Sequence, residues 1–357
     1  MLSVKTGNSV LYSIKKGYKM NNNLPMIRGI GYAIPSKVVT NHDLTKIYDT
    51  TDEWIYTRTG IKERRLFASD AEAFELLAKT CKQAIANAEI AVADVDLIIA
   101  ATSMPVQLMP MTSCMTQKLL GITKNIPAFD ISVACSGFVY ALDIANAYIL
   151  SGKYKNILIV TMDNSSRYLD WSDRRSSILF GDGIGAAVVS AGNENDIISM
   201  DIKADGSVGD YINLAAPKGN CPFVDNTSTP QFLDMKGQEV YKFVANIIPN
   251  YITDEILSKN NIAADDIDYL VLHQANLRII KAVQERLGYS DEKVITYIEN
   301  LGNTSASSIL IAIGEAIKDG KLKTPSKAIV CGFGAGMCWG GGIIRLREGI
   351  FKGANIF

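Results

Sequence analysis

Apolar and polar positions along the chain fall into short β-branched runs alternating with longer stretches of helical spacing. Residues 26–34 read as an opening strand ended by Pro35. Residues 74–88 have helical spacing and lead into a buried strand at 96–102, and 155–162 is a further strand. The run 127–133 fits a buried strand, and 138–149 fits a helix stopped by Gly152. A glycine-rich turn from Phe180 runs into a strand ending near Ser190, and 269–272 is a strand that hands over to a helix. The pattern then repeats. VADVDLIIAAT (92–102) lines up with ADDIDYLVLHQ (264–274), and KNILIV (155–160) with SKAIVC (326–331), at offsets of about 172 residues. That spacing argues for a duplicated α/β fold, not a solenoid. The expected division is a tail at 1–25, one half at 26–193 and a second at 194–357, parted at the turn-rich stretch around Asn193.

Composition narrows the class. The chain has 357 residues, 48% apolar and 20% charged, with a net charge of −1. This is an ordinary globular composition, with no bulk electrostatic case for nucleic acid or an anionic membrane. Cysteines at 81, 114, 135, 221, 331 and 338 show neither a CxxC pair nor metal-type spacing, so reduced thiols, a cytoplasmic location and no metal are expected. The uncharged run 328–344 holds six glycines and is too short to span a bilayer. The first 25 residues lack an acidic residue, an arginine and a signal-peptide core, and are expected to be a disordered tail.

Candidate chemistry centres on Cys135, placed where the strand 127–133 turns into a helix. Unpaired N–H groups there favour a thiolate, whereas a free cysteine elsewhere is ordinarily a small buried hydrophobe. Only two histidines are present. His42 lies in a polar stretch and reads as a surface or helix-entry residue, whereas His273 ends a strand at the edge where open α/β sheets carry their ligands. Asn303 follows Gly302 in a sharp turn. The segment 332–342 is rich in glycine and brings backbone N–H groups close to a reacting carbonyl. Trp54 with Arg58, Lys62, Arg64 and Arg65 reads either as a solvated charged face or as a seat for a nucleotide.

Six segments carry a resemblance. VACSGF (133–138), HQANLR (273–278), GNTSA (302–306), GAGMCWG (334–340), DEWIYTRTG (52–60) and LFGDG (179–183) resemble the signature segments of β-ketoacyl-acyl-carrier-protein synthase III, over residues 26–347. The resemblance implies a thiolase-like, five-layered α-β-α-β-α fold and a homodimer. It implies decarboxylative condensation of a short acyl-coenzyme A with malonyl-acyl carrier protein through an acyl-Cys135 intermediate, with His273 and Asn303 as catalytic partners. By the same resemblance, Phe333, Gly334, Ala335 and Gly336 support decarboxylation and the oxyanion. Trp54, Arg58, Arg174 and Asn276 would meet coenzyme A, which is a substrate; no tightly bound cofactor is implied. Gln274, Arg278 and Lys281 would meet the carrier protein. Met109 stands where a Phe often closes the partner subunit's pocket, and Leu301 where Tyr is frequent. Three alternatives stay open: a degradative thiolase using Cys331 or Cys338 as a second thiol, a relative that moves the acyl group to another acceptor, and a redox enzyme reading GDGIGA (181–186) as a dinucleotide loop, which would need a helix after it.

Overall fold

Alternation of side chains along each buried strand dictates the layering. The computed structural model describes residues 23–216, 223 and 232–353. Strands β1 (Leu24–Ala33), β2 (Leu97–Ala101), β3 (Ala128–Ile131), β4 (Asn156–Asp163) and β5 (Gly183–Gly192) form one sheet in the order β1-β5-β4-β2-β3. Both pairings of β2 are parallel, and β5 runs antiparallel to its two neighbours. A second sheet has the order β7-β8-β9-β6, from β6 (Ile197–Ala204), β7 (Tyr269–Leu272), β8 (Ser326–Gly334) and β9 (Cys338–Leu346).

Two helices lie between the sheets, α4 (Gly137–Leu150) and α7 (Ser308–Lys318). Leu97, Ile99 and Ala101 of β2 pack inward on Phe138, Leu142 and Leu310, in one core with Val271, Val330 and Ile344 of the second sheet. The intervening residues Ile98 and Ala100 face outward, against α2 (Asp70–Asn87). On the far side, Leu270, Leu272 and Ile329 face α5 (Gly237–Tyr251) and α6 (Leu277–Leu287). Five layers result, α-β-α-β-α, because each sheet has two apolar faces and each face needs a helix. Helix α7 has no exposed face over most of its length, as its run of buried Ile and Leu requires.

The duplication extends to single hydrogen bonds. Asp96 N donates to the Asn156 carbonyl at 2.9 Å, and Asp268 N to the Lys327 carbonyl at 3.0 Å. In return the Asp96 carboxylate accepts from Asn156 N at 3.2 Å, and Asp268 from Lys327 N at 2.7 Å. Each aspartate thus pins the start of one strand to its parallel neighbour.

Most of the tail expected at 1–25 lies outside the described residues, as does Cys221; Leu24 and Pro25 already belong to β1. The expected helix at 74–88 begins earlier, at Asp70, because the Ser69 hydroxyl caps it by accepting from Glu72 N at 3.1 Å. Around Trp54 the chain forms α1 (Asp52–Thr59), capped by Thr51. Among the described residues, no helix is long and apolar enough to cross a membrane.

Candidate active site

Each half supplies a turn that enters a central helix, and the two turns meet. Ala134 and Ser305, 171 positions apart, both hold left-handed backbone, with φ of +46° and +51°. Short 3₁₀ turns follow, Ala134–Ser136 and Ser305–Ser307, leading into α4 and α7. Cys135 sits in the first turn, and its Sγ lies 3.3 Å from Ser305 Oγ of the second. A Cβ at Gly334 would lie 2.7 Å from Cys135 N, so the end of β8 approaches the turn only as glycine.

His273 leaves β7 buried, its backbone N–H donating to the Cys331 carbonyl at 2.8 Å. Its Nδ1 lies 2.7 Å from Ser308 Oγ, which also accepts from Gln274 N at 3.2 Å. Phe333 meets the imidazole edge-on, with ring centroids 5.3 Å apart. Burial holds the imidazole down to about 3, against a hydrogen bond with the Ser305 backbone. It is therefore neutral across the physiological range. Gly302 (φ +68°) makes the turn that presents Asn303, and a Cβ there would lie 3.0 Å from the Leu179 carbonyl. The Asn303 Oδ1 accepts from Ser305 N at 2.8 Å, so only the amide nitrogen is left to donate elsewhere.

A cavity of about 1170 Å³ joins these groups to the surface. Cys135, His273, Asn303, Phe333, Gly334, Ala335 and Gly336 line it, and so do Trp54, Arg58, Arg174, Asn276 and Arg278. The Arg58 and Arg174 guanidiniums lie 4.2 and 4.5 Å from the Trp54 ring centroid. Arg174 also donates to the Asp49 carbonyl. Asn276 caps α6, accepting from Arg278 N at 2.8 Å, and donates to the Arg58 carbonyl at 3.0 Å. Lys281 is exposed one turn along the same helix and lies outside the cavity lining; Met109, 87% exposed, does too. Among the described residues, no cluster of His, Cys, Asp or Glu could hold a metal.

Two expectations are corrected. Gln274 does not face a carrier protein: it is buried, donating to the Leu272 and Ile295 carbonyls at 2.7 and 3.2 Å and accepting from Tyr297 N at 2.9 Å. An amide satisfied on both ends inside the fold ties β7 to the following loop instead. Nor does the packing around Cys135 favour a thiolate as its helix end alone would. Burial pushes its thiol up to about 12, opposed by the Ser305 hydrogen bond and reinforced by Asp163. Desolvation thus works against the pull of the helix end on the thiol. Ser305, Ser308 and Asp163 were not singled out from the sequence. The repeat carried a signal for the first, since Ser305 is the counterpart of Ala134 and the one of the two with a hydroxyl.

His273 also predicts a stability effect. Below about pH 6.5 an unfolded His273 takes up a proton that the folded one refuses, so stability present above that pH is lost as pH falls towards 3. Denaturant titrations of wild type and His273→Asn should diverge accordingly. The wild type should lose about 2 kcal/mol more than the variant between pH 7 and pH 5.

Against known proteins, the chain is 44% identical over 320 residues to the β-ketoacyl-[acyl-carrier-protein] synthase III of Campylobacter jejuni, covering 89% of this chain and 97% of that one. It belongs to that family. The Clostridium perfringens synthase III is 43% identical, over 89% of this chain and 98% of its own. Models of the 3-oxoacyl-[acyl-carrier-protein] synthase III family match residues 129–206, and of its C-terminal part residues 257–346. Among solved structures, the synthase III of Aquifex aeolicus superposes with a TM-score of 0.82 at 40% identity, covering 90% of this chain and all of that one. The synthase III fold is thus the thiolase-like, five-layered one described above.

Proposed function

We propose that this synthase III condenses a short acyl-coenzyme A, acetyl-coenzyme A or a similar primer, with malonyl-acyl carrier protein and so starts fatty acid synthesis. The observation that carries it is the convergence of Cys135, His273 and Asn303 on one cavity open to the surface. Cys135 Sγ attacks the thioester carbonyl, giving an acyl-enzyme and coenzyme A. The N–H groups of Cys135 and Ala335 hold the oxyanion of that step. Malonyl carrier protein then enters and loses carbon dioxide beside the apolar edge of Phe333. The enolate oxygen is met by the Asn303 amide and by His273 Nε2. Ser308 Oγ accepts from Gln274 N and can give its own proton to Nδ1; in that tautomer the imidazole proton is on Nε2, where the enolate oxygen needs it.

Coenzyme A would lie along the outer cavity. Its base would stack on Trp54 once Arg174 lifts from the ring, and Arg58 and Arg174 would meet its phosphates. Arg278, exposed in the cavity wall, and Lys281, exposed one turn along the same helix, would steer an acidic carrier protein. A homodimer is supported by the edge position of β3 in its sheet and by the exposed apolar side chains of Leu108 and Met109, 62% and 87% exposed. There Met109 would reach the partner's pocket. The two-half division at residues 26–193 and 194–357 fits the break between β5 and β6.

The degradative alternative loses its second thiol, since neither Cys331 nor Cys338 lines the cavity. GDGIGA opens β5 with no helix after it, which removes the dinucleotide loop. The deciding assay follows carbon dioxide release and the mass of the carrier protein. Both should require acyl-coenzyme A and malonyl carrier protein together. Acyl transfer to a hydroxyl or amine without carbon dioxide, or reaction between two acetyl-coenzyme A molecules, would refute the proposal.

A further inference from the structure

Arg64 belongs by sequence to the cations around Trp54, yet its side chain is fully buried. It stands in the strand Glu63–Leu66, paired with Lys37–Thr40, and among the described residues no carboxylate pairs with it directly. A buried guanidinium without an acid is costly, so its hydrogen bonds need an account. They run in two directions. Nη2 donates to the Ile178 carbonyl at 2.8 Å. The carbonyl of the next residue, Leu179, accepts from Asn303 N at 2.8 Å, and Gly181 N donates to the Asn303 carbonyl at 2.9 Å. The segment that Arg64 holds is thus the one that fixes both backbone groups of Asn303. Arg64 also packs against that turn: a Cβ on Gly302 would lie 3.1 Å from the Arg64 Cβ. In the other direction, Nη1 donates to the Val39 carbonyl at 3.2 Å and to Asn41 Oδ1 at 2.9 Å. The Asn41 amide nitrogen donates in turn to Asp52 Oδ1 at 2.8 Å and to the Ile61 carbonyl at 2.7 Å. Asp52 opens α1, the helix that carries Trp54 and Arg58, and Ile61 lies just beyond its end.

We propose that Arg64 is a positioning residue that sets the Asn303 amide for the enolate step through Ile178 and sets α1 for coenzyme A through Asn41. Arg64 itself does not line the cavity, so it acts only through these two arms. Its planar fork is what the arrangement needs: two nitrogens on one rigid plane fix two partners at a set separation, whereas a lysine ammonium is a single point on a flexible stem. Asn303 has one donor left, and that donor has to meet an oxygen whose place the acyl-enzyme dictates. A shift of the turn takes it off line, and misplacement by about 1 Å can cost roughly 10²-fold. Acylation depends on the N–H groups of Cys135 and Ala335, which none of these bonds touches. The arms therefore act at different points, the Ile178 arm on carbon dioxide release and the Asn41 arm on coenzyme A binding.

The inference rests on the proposed condensation, and the two fail differently. Acetylated full-length enzyme is mixed with malonyl-acyl carrier protein and carbon dioxide release is followed in a single turnover; coenzyme A binding is measured by calorimetry. Arg64→Lys should release carbon dioxide about 10- to 10²-fold more slowly, with acylation at saturating acetyl-coenzyme A within about twofold of wild type. It should also bind coenzyme A about 10-fold more weakly. On an Asn303→Ala background the same substitution should slow release by no more than about twofold further, because no amide is left to misplace. Asn41→Ser should weaken coenzyme A binding by about 10-fold while slowing release far less than Arg64→Lys does, and it keeps the test open should the lysine variant not fold. A loss as large on the Asn303→Ala background as on wild type marks a role in folding alone and overturns the proposal. So does unaltered release in Arg64→Lys, or unaltered coenzyme A affinity in Asn41→Ser. A wild-type enzyme that releases no carbon dioxide refutes the condensation instead, and coenzyme A binding still reads the Asn41 arm.

Discussion

Cys135→Ala should carry no acyl group after incubation with acyl-coenzyme A, and condensation should fall by roughly 10⁴–10⁶-fold. Among the described residues Cys135 is the one thiol in the cavity wall. Cys81 and Cys331 are buried in apolar cores, where burial pushes their thiols up and no substrate reaches them. The Cys135 side chain borders the cavity and packs on no core cluster, so its truncation should change stability by no more than about 1 kcal/mol. Loss of activity with the melting transition in place would then report chemistry. Intact mass spectrometry is the direct check, and an acyl adduct persisting on the alanine variant would reject the nucleophile.

Asn303→Ala and His273→Ala should each slow condensation by about 10²–10³-fold while leaving acylation of Cys135 largely intact. The asymmetry follows from where charge develops. The oxyanion of acylation is met by backbone N–H groups that neither substitution touches, whereas the enolate oxygen depends on the two side chains. Asn303 is a fixed donor because Ser305 N holds its oxygen, and His273 is a neutral donor because burial keeps the proton count at one. Since both act on one oxygen, the double variant should lose less than the product of the single losses. The condensation rate should show no limb near pH 6.5, the ordinary imidazole value, because the folded ring titrates near 3. Single-turnover measurement of acylation and of carbon dioxide release separates the two stages. Equal losses in both would break the assignment.

The chain by itself determined the strands, the duplication and the placing of Cys135 and His273 as candidates, while Asn303 was singled out by the resemblance. Those depend on local pattern: an apolar run, a glycine that permits a turn, and a helix beginning where the turn ends, as at Cys135 and His273. Even α2 was displaced by only one cap, Ser69. What neighbours do to a side chain was decided by tertiary structure alone. Gln274 and Arg278 stand four residues apart in one motif, yet the first is sealed between β7 and a loop and the second is exposed at the cavity mouth. Cys135 has the helix end its position promised, but the layers around it partly desolvate the thiol and push the other way. Ser305, against the sulfur, comes from 170 residues downstream. No period or spacing announces a contact that long, because only the stacking of two sheets about α4 and α7 brings the two turns within a hydrogen bond.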